Sequence, residues 1–273
     1  MVGRRILLLG GLTAGGLAAL WAYPRWLVRR CENLDLADVP KPGSMIRLDG
    51  VDIHYVDRGQ GQPLVLIHGL GGSICNFRYN IPVLSEHLRV VALDLKGFGY
   101  SERPAAGDYS LTAQARLVGE LMDRLGIPRA AVLGHSMGGA IALRLAATWP
   151  EKVDRLILVG SAPPGRMVPR FAASPPLPSL LRLGTALVLH QPRLREIVLR
   201  QGFYDPAFLS PEMLEEFRRF ARIRGSTDAI ASLLRDAARD EPVDLIVDHI
   251  AEAVALHCEG AVCAILLGPP HSP

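Results

Sequence analysis

The feature that most limits what this chain can fold into is Gly134-His135-Ser136-Met137-Gly138, set between the apolar run Ala130 to Leu133 and a helical pattern from Met137 to Thr148. As a bare string, Gly-x-Ser-x-Gly is weak evidence. Between a strand and a helix it specifies a strained, tight turn. The glycines let neighbouring backbone pass close by, and the serine hydroxyl is thrown up above the edge of a sheet. The helix that begins at Met137 points its free N–H groups and positive end at that hydroxyl.

Such a turn needs a parallel sheet with crossover helices around it, and the sequence supplies one. Short β-type runs at Met45 to Leu48, Val51 to Val56, Pro63 to Ile67, Val90 to Leu93, Ala130 to Leu133 and Leu156 to Val159 alternate with helical patterns near Asn76 to His87, Leu111 to Leu125 and Met137 to Thr148. The first two strands read as a hairpin around Asp49-Gly50. From Pro63 onward the strands are almost wholly apolar, as a sheet covered on both faces requires. The fold class is therefore α/β, a doubly wound, mostly parallel sheet, with its core over residues 44–160. Prolines then open a segment, 161–240, whose patterns are all helical: Leu180 to Leu189, Leu194 to Arg200, Pro211 to Ile223 and Ile230 to Ala238. This segment reads as a helical insertion above the sheet.

Hydrophobic residues make up 49% of the 273 residues, enough for one continuous core. A net charge of +3, evenly spread, argues against nucleic acid as a partner. The cysteines at 31, 75, 258 and 263 have neither metal-ligand spacing nor a disulfide pattern, so no metal site is expected. The start of the chain is different. An uncharged run from Ile6 to Pro24 lies between Arg4-Arg5 and Arg25, with Trp21, Tyr23 and Trp26 at its end. At 1.5 Å per residue it spans roughly 28 Å, close to the hydrocarbon thickness of a bilayer. A secretory signal is the competing reading, but no small-x-small cleavage site follows. Residues 1–30 are thus expected to be a transmembrane anchor and 31–43 a linker. Arginines on both sides leave the orientation open.

Two further motifs bear on chemistry. His68-Gly69-Leu70-Gly71-Gly72 follows the strand Pro63 to Ile67, where a glycine-rich loop can offer a backbone N–H to a developing oxyanion. Asp94-Leu95-Lys96-Gly97-Phe98-Gly99-Tyr100-Ser101 follows Val90 to Leu93 and reads as a structural turn at the sheet's rim, with Asp94 a minor candidate for a displaced acid. Taken with the elbow, in this order and spacing, these motifs over residues 44–160 resemble the α/β-hydrolase superfamily, in the branch of esterases, monoglyceride lipases, haloperoxidases and carbon–carbon bond hydrolases. The resemblance implies Ser136 as nucleophile, the backbone N–H groups of Leu70 and Met137 as the oxyanion hole, Gly134 and Gly138 as elbow residues, His68 and Gly69 as loop residues, and 161–240 as a cap. It implies no cofactor, and a small-molecule or lipid ester with an apolar acyl part as substrate, cleaved through an acyl-enzyme. Perhydrolysis and carbon–carbon cleavage use the same residues. Epoxide hydrolases and haloalkane dehalogenases of this fold use a carboxylate at the elbow, where this chain has serine.

A serine hydroxyl also needs a histidine to take its proton and a carboxylate to orient that histidine. The family places both after the cap, and residues 241–273 offer less chain than those elements usually occupy. In a compressed reading, Asp244 to Val247 is a strand, His249 to Cys258 a helix and Ala261 to Leu267 the last strand, with Asp248 as acid and His271 as base. In the other, Ala261 to Gly268 is the strand that follows the cap, and the sequence stops before the catalytic histidine, leaving an impaired or truncated hydrolase fold.

Overall fold

The computed structural model describes residues 22–162, 169–175, 177–201, 205, 209–240, 253–255 and 264–267. One eight-stranded sheet, in the order β1-β2-β4-β3-β5-β6-β8-β7, organises them. β1 (Ser44–Leu48) and β2 (Val51–Arg58) pair antiparallel through Asp49 and Gly50, at φ of 44° and 74°. Both residues are left-handed, the conformation that matches a two-residue hairpin to the twist of its strands. β2 also pairs antiparallel with β4 (Arg89–Leu93). β3 (Pro63–Ile67) lies parallel between β4 and β5 (Ala130–His135), and β6 (Val153–Val159) continues the parallel set. Leu64 to Ile67 and Val90 to Leu93 are all buried, the expected result for strands covered on both faces.

The chain enters this body through α1 (residues 22–31), and α2 (Asn80–Leu84), α3 (Leu111–Arg124) and α4 (Met137–Thr148) follow among the strands. Ser110 starts α3 by accepting the N–H of Ala113 at 3.1 Å. The single helix expected over 76–87 is instead a 3₁₀ turn, Ile74–Phe77, followed by α2. Ser73 and Asn76 form a reciprocal capping box for the turn, and Pro82 has no N–H to bond back to Arg78, so one continuous helix cannot run through both.

The cap is helical throughout its described residues: α5 (Leu177–His190), α6 (Pro192–Arg200), α7 (Pro211–Arg222) and α8 (Ser226–Ala237). Carboxylates at its end clasp the start of α3. Asp240 accepts the Leu111 N–H at 2.7 Å and the Thr112 hydroxyl at 2.9 Å, and Asp236 accepts the Tyr109 N–H at 3.1 Å. Negative charge at a helix N-terminus is favourable, so the clasp gains from the α3 dipole. The cap arginines mostly have partners: Arg182 with Asp228, Arg200 with Glu196 and Arg218 with Glu215.

Residues 31–43, expected to be a linker, are stitched to this cap. Leu34 forms a parallel bridge with Ile223, and the buried Glu32 carboxylate accepts the N–H groups of Gly225 and Thr227, both at 2.7 Å. A buried carboxylate requires such donors, and the start of α8 offers them. Leu27 and Val28 of α1 are buried against Ala186 and Leu187 of α5, while Tyr23 and Trp26 stack at 6.0 Å on the exposed side. The expected transmembrane helix has no support here. Among the described residues no helix is long and apolar enough to cross a membrane, and 1–21, which hold most of the apolar run, lie outside them.

After the cap, β7 (Ala253–Ala255) and β8 (Ala264–Leu267) extend the sheet beyond β6. The helix expected over His249 to Cys258 is therefore corrected, since its centre is a strand. β8 does lie beside β6, where the second reading of the tail puts a strand, but it runs antiparallel to both β6 and β7. The short connection between Ala255 and Ala264 explains this: antiparallel neighbours can be joined by a few residues, whereas parallel ones need a crossover of a dozen or more. Ala264 pairs with Val159 and Leu267, the last residue of β8, with Leu156 in the middle of β6, so the strand runs away from the end of the sheet that carries Ser136.

Candidate active site

Ser136 follows β5 and caps α4, at φ 53° and ψ −119°. Only Asp49 and Ser136 among the described non-glycine residues have positive φ, and a serine held there stores local strain that its surroundings must enforce. They do so from both sides. The Ser136 N–H donates to Val159 of β6 at 3.0 Å, and its carbonyl accepts the N–H groups of Gly139 and Ala162 at 2.9 and 3.0 Å. The glycines of the motif are there for space. A methyl on Gly134 would overlap the Gly138 carbonyl, and one on Gly138 would overlap the Ile67 and His68 carbonyls.

The loop after β3 crosses this turn closely. A methyl built on Gly69 would lie 3.1 Å from Cβ of Ser136 and 3.2 Å from Nδ1 of His135. Neither the Leu70 nor the Met137 backbone N–H has an acceptor among the described residues. Met137 is buried as the first residue of α4, while Leu70 is 44% exposed. His68 fixes the loop. Its Nε2 accepts the Leu95 N–H at 3.0 Å, so Nδ1 carries the proton and donates to the Gly69 carbonyl at 2.8 Å. Burial pushes its pKa down, against the pull of Asp94, and burial does the same to His135. Both rings are thereby held neutral.

Asp94 is not a spare acid. Its carboxylate accepts the N–H groups of Ile74 and Tyr100 at 2.7 and 2.8 Å and lies 2.8 Å from Nδ1 of the buried His54. Nε2 of His54 meets the Pro42 carbonyl, so both ring nitrogens face acceptors. The cluster ties the loop after β4 to β2 and to the turn after β3, the structural role its sequence suggests. Cys75 nearby is not a nucleophile, because burial and Glu216 push its thiol up to about 12. Asp248 and His271 lie outside the described residues.

Between the loop after β3 and the cap is a cavity of about 550 Å³. Leu70 and Phe98 form part of its floor. Leu177, Leu181, Gly184 and Val188 line it from one stripe of α5, at a spacing of three or four residues. Sequence reasoning missed two residues in its wall, Arg103 and Arg195. Arg103 joins the core to the cap, donating to the carbonyls of Ser101 and Gly99, both at 2.8 Å, and to the Ser226 hydroxyl at 2.9 Å. Burial lowers its pKa to about 10, opposed by Asp94 and Glu32. Its place just after the Asp94–Ser101 turn was a usable signal. Arg195 gave none, being one of many cap arginines.

A family model described as alpha/beta hydrolase fold matches residues 62–240. The chain is 42% identical over 126 residues to 2-hydroxymuconate semialdehyde hydrolase of Pseudomonas sp. (strain CF600), covering 45% of this chain and 44% of that protein. It is 32% identical over 194 residues to a soluble epoxide hydrolase of Corynebacterium sp. (strain C12), covering 66% of each. Among solved structures, a meta-cleavage product hydrolase from Pseudomonas fluorescens IP01 superposes with a TM-score of 0.61 at 28% identity, over 74% of this chain and 72% of that one. The chain thus spans less than half the length of the first of these relatives. The matched residues hold the Ser136 turn, the Gly69–Gly72 loop and the helices of 177–237, and the chain belongs to the α/β-hydrolase family.

Proposed function

We propose that this protein is a serine hydrolase that opens carbonyl substrates with apolar bodies, carboxylic esters first among them, through an acyl-enzyme on Ser136. The observation that carries this is the backbone of Ser136. Positive φ at the head of α4, where the Gly69 backbone passes within contact distance of Ser136, is costly for a serine, and this supports a reading in which the hydroxyl works beside the Leu70 and Met137 N–H groups, which have no acceptor among the described residues. Attack of the hydroxyl oxygen on a carbonyl carbon would move charge onto the carbonyl oxygen, where the N–H groups of Leu70 and Met137 can hold it. The leaving group departs with a proton, and water then releases the acyl group from Ser136.

Carbon–carbon cleavage is the second reading, favoured by the similarity to a protein named as a semialdehyde hydrolase. Serine at 136 counts against epoxide opening. A substrate panel separates the two: p-nitrophenyl butyrate and octanoate should be hydrolysed, and turnover of a vinylogous diketone acid with no turnover of either ester would replace the first reading by the second.

The base that takes the proton of Ser136 is the remaining assignment. His54 and His68 have both ring nitrogens committed. Chain order points to His271 with Asp248 as its acid, while the direction of β8, which ends away from the elbow, counts against it. Under this assignment His271→Ala should lose ester turnover with an unchanged melting temperature, and turnover retained in that variant would place the base elsewhere.

The apolar run before α1 supports a membrane anchor as part of the same proposal. Because Leu27, Val28 and Glu32 are bound into the cap, the deletion that tests this ends at residue 21. Removing 1–21 should move the protein from the membrane pellet to the soluble fraction with its fold intact, and pelleting that survives both the deletion and high salt would assign the attachment to another part of the protein.

A further inference from the structure

Inside a helix only proline is less favourable than glycine, so a helical glycine needs a reason in its surroundings. In α3 and α4 that reason is close approach. A methyl on Gly119 would lie 3.4 Å from Leu145, one on Gly138 would overlap the Ile67 and His68 carbonyls, and one on Gly139 would overlap the Ser161 side chain. Gly184 of α5 is different. Among the described residues, a methyl built there has no heavy atom within 4 Å, and its φ is not in the positive range that favours glycine. Neither packing nor conformation calls for glycine at this position. Ala186, two residues on, shows the contrast, being fully buried where Leu27 and Val28 of α1 press against α5.

The space that Gly184 leaves belongs to the cavity between the loop after β3 and the cap. Leu177, Leu180, Leu181, Gly184 and Val188 all line it, at the three- and four-residue intervals that make one face of α5. Gly184 is at the middle of that face and is its only member without a side chain, so the apolar wall is notched there. At 1.5 Å per residue the stripe from Leu177 to Val188 runs about 17 Å, with the notch about 10 Å along it. At the near end, Leu177 and Leu181 pack against the main core, the cluster that also contains Met137 and Phe98. A chain that lies along α5 from that end must cross Gly184 to reach Val188 and Leu189, which line the cavity beyond it.

We propose that Gly184 is a specificity-determining residue, and that its notch lets the cavity take esters of long, unbranched acyl chains in preference to those whose chains stop short of it. The inference deepens the hydrolase reading and rests on it only for the word ester, since the reach of the cavity is a property of binding. A side chain at 184 would stand in the path of the acyl chain and leave the far part of the cavity unused. Each methylene kept out of that part forfeits about fourfold in affinity.

The test has an arm that needs no catalysis. Calorimetric titration of the full-length protein with decan-1-ol and with butan-1-ol should show the longer alcohol bound at least about a hundredfold more tightly, from the methylenes it buries. Gly184→Leu should cut that ratio at least about tenfold, and Gly184→Ala should cut it less. The alanine variant also separates this role from a packing role. With nothing for the new methyl to strike, it should melt about 2 °C higher than wild type, because alanine is the better helix former. In the second arm, the ratio of kcat/KM for p-nitrophenyl decanoate over p-nitrophenyl butyrate should fall from wild type through Gly184→Ala to Gly184→Leu, with the change in KM. An alcohol ratio unchanged in a folded Gly184→Leu variant overturns the proposal, as does a melting temperature lowered by Gly184→Ala. An alcohol ratio that narrows as expected, with no ester turnover by wild type, supports the notch and counts against the hydrolase reading instead.

Discussion

Ser136→Ala should reduce p-nitrophenyl ester turnover by about 10⁴ to 10⁶, with no change in melting temperature beyond a degree or two. The size follows from removing the atom that forms the covalent intermediate, since a hydrolase of this kind without its nucleophile keeps only what substrate binding and the oxyanion hole provide. The near-neutral stability follows from the local structure. The bonds that fix the turn are made by the backbone N–H and carbonyl of residue 136, and alanine keeps both. Positive φ is no easier for alanine than for serine, so the strain stays as it is. A variant with a tenth of wild-type turnover would show that another residue carries the chemistry.

The second large effect is on stability. Asp94→Ala should cost on the order of 4–6 kcal/mol, enough to unfold much of a protein whose margin is ordinarily about 5–15 kcal/mol. Three donors lose their acceptor at once: the N–H groups of Ile74 and Tyr100 and the ring of His54. The side chains of His54 and Asp94 are only 2% and 1% exposed, so water cannot replace the lost bonds without opening the turn. Removing one partner of a buried, hydrogen-bonded pair is costly because the other is left charged or unpaired. Urea unfolding followed by circular dichroism measures this directly. A loss below about 1 kcal/mol would mean that Asp94 is not the tie described here, and would reopen its candidacy as a displaced acid.

The parts of the molecule that were legible in the sequence are those set by local rules. Continuous apolar runs gave β3 and β4 because both faces of those strands are buried, while β5 and β6 are buried mainly on alternate residues. Asp49-Gly50 gave the hairpin because those residue types tolerate φ above zero. The elbow was legible because it combines a glycine requirement with a strand-to-helix switch. What sequence reading missed depends on contacts between distant segments. Glu32 reads as one acidic residue in a polar stretch, and only the fold brings it to the start of α8, nearly two hundred residues away. Asp236 and Asp240 look like ordinary helix-end charges until α3 is placed beside them. Arg195 cannot be told from its neighbours until the fold sets it in the wall of the cavity. The direction of β8 is of the same kind, because an apolar run such as Ala264–Leu267 carries no mark of which way it will pair.

The most direct test of the central claim is mass spectrometry of the full-length protein after exposure to a fluorophosphonate, whose tetrahedral phosphorus resembles the acyl-transfer intermediate and whose oxygen would occupy the hole between Leu70 and Met137. The account predicts a single covalent adduct, mapped to the peptide that contains Ser136 and absent from Ser136→Ala. A folded wild-type protein that stays unlabelled, or that carries the adduct on another residue, would contradict it.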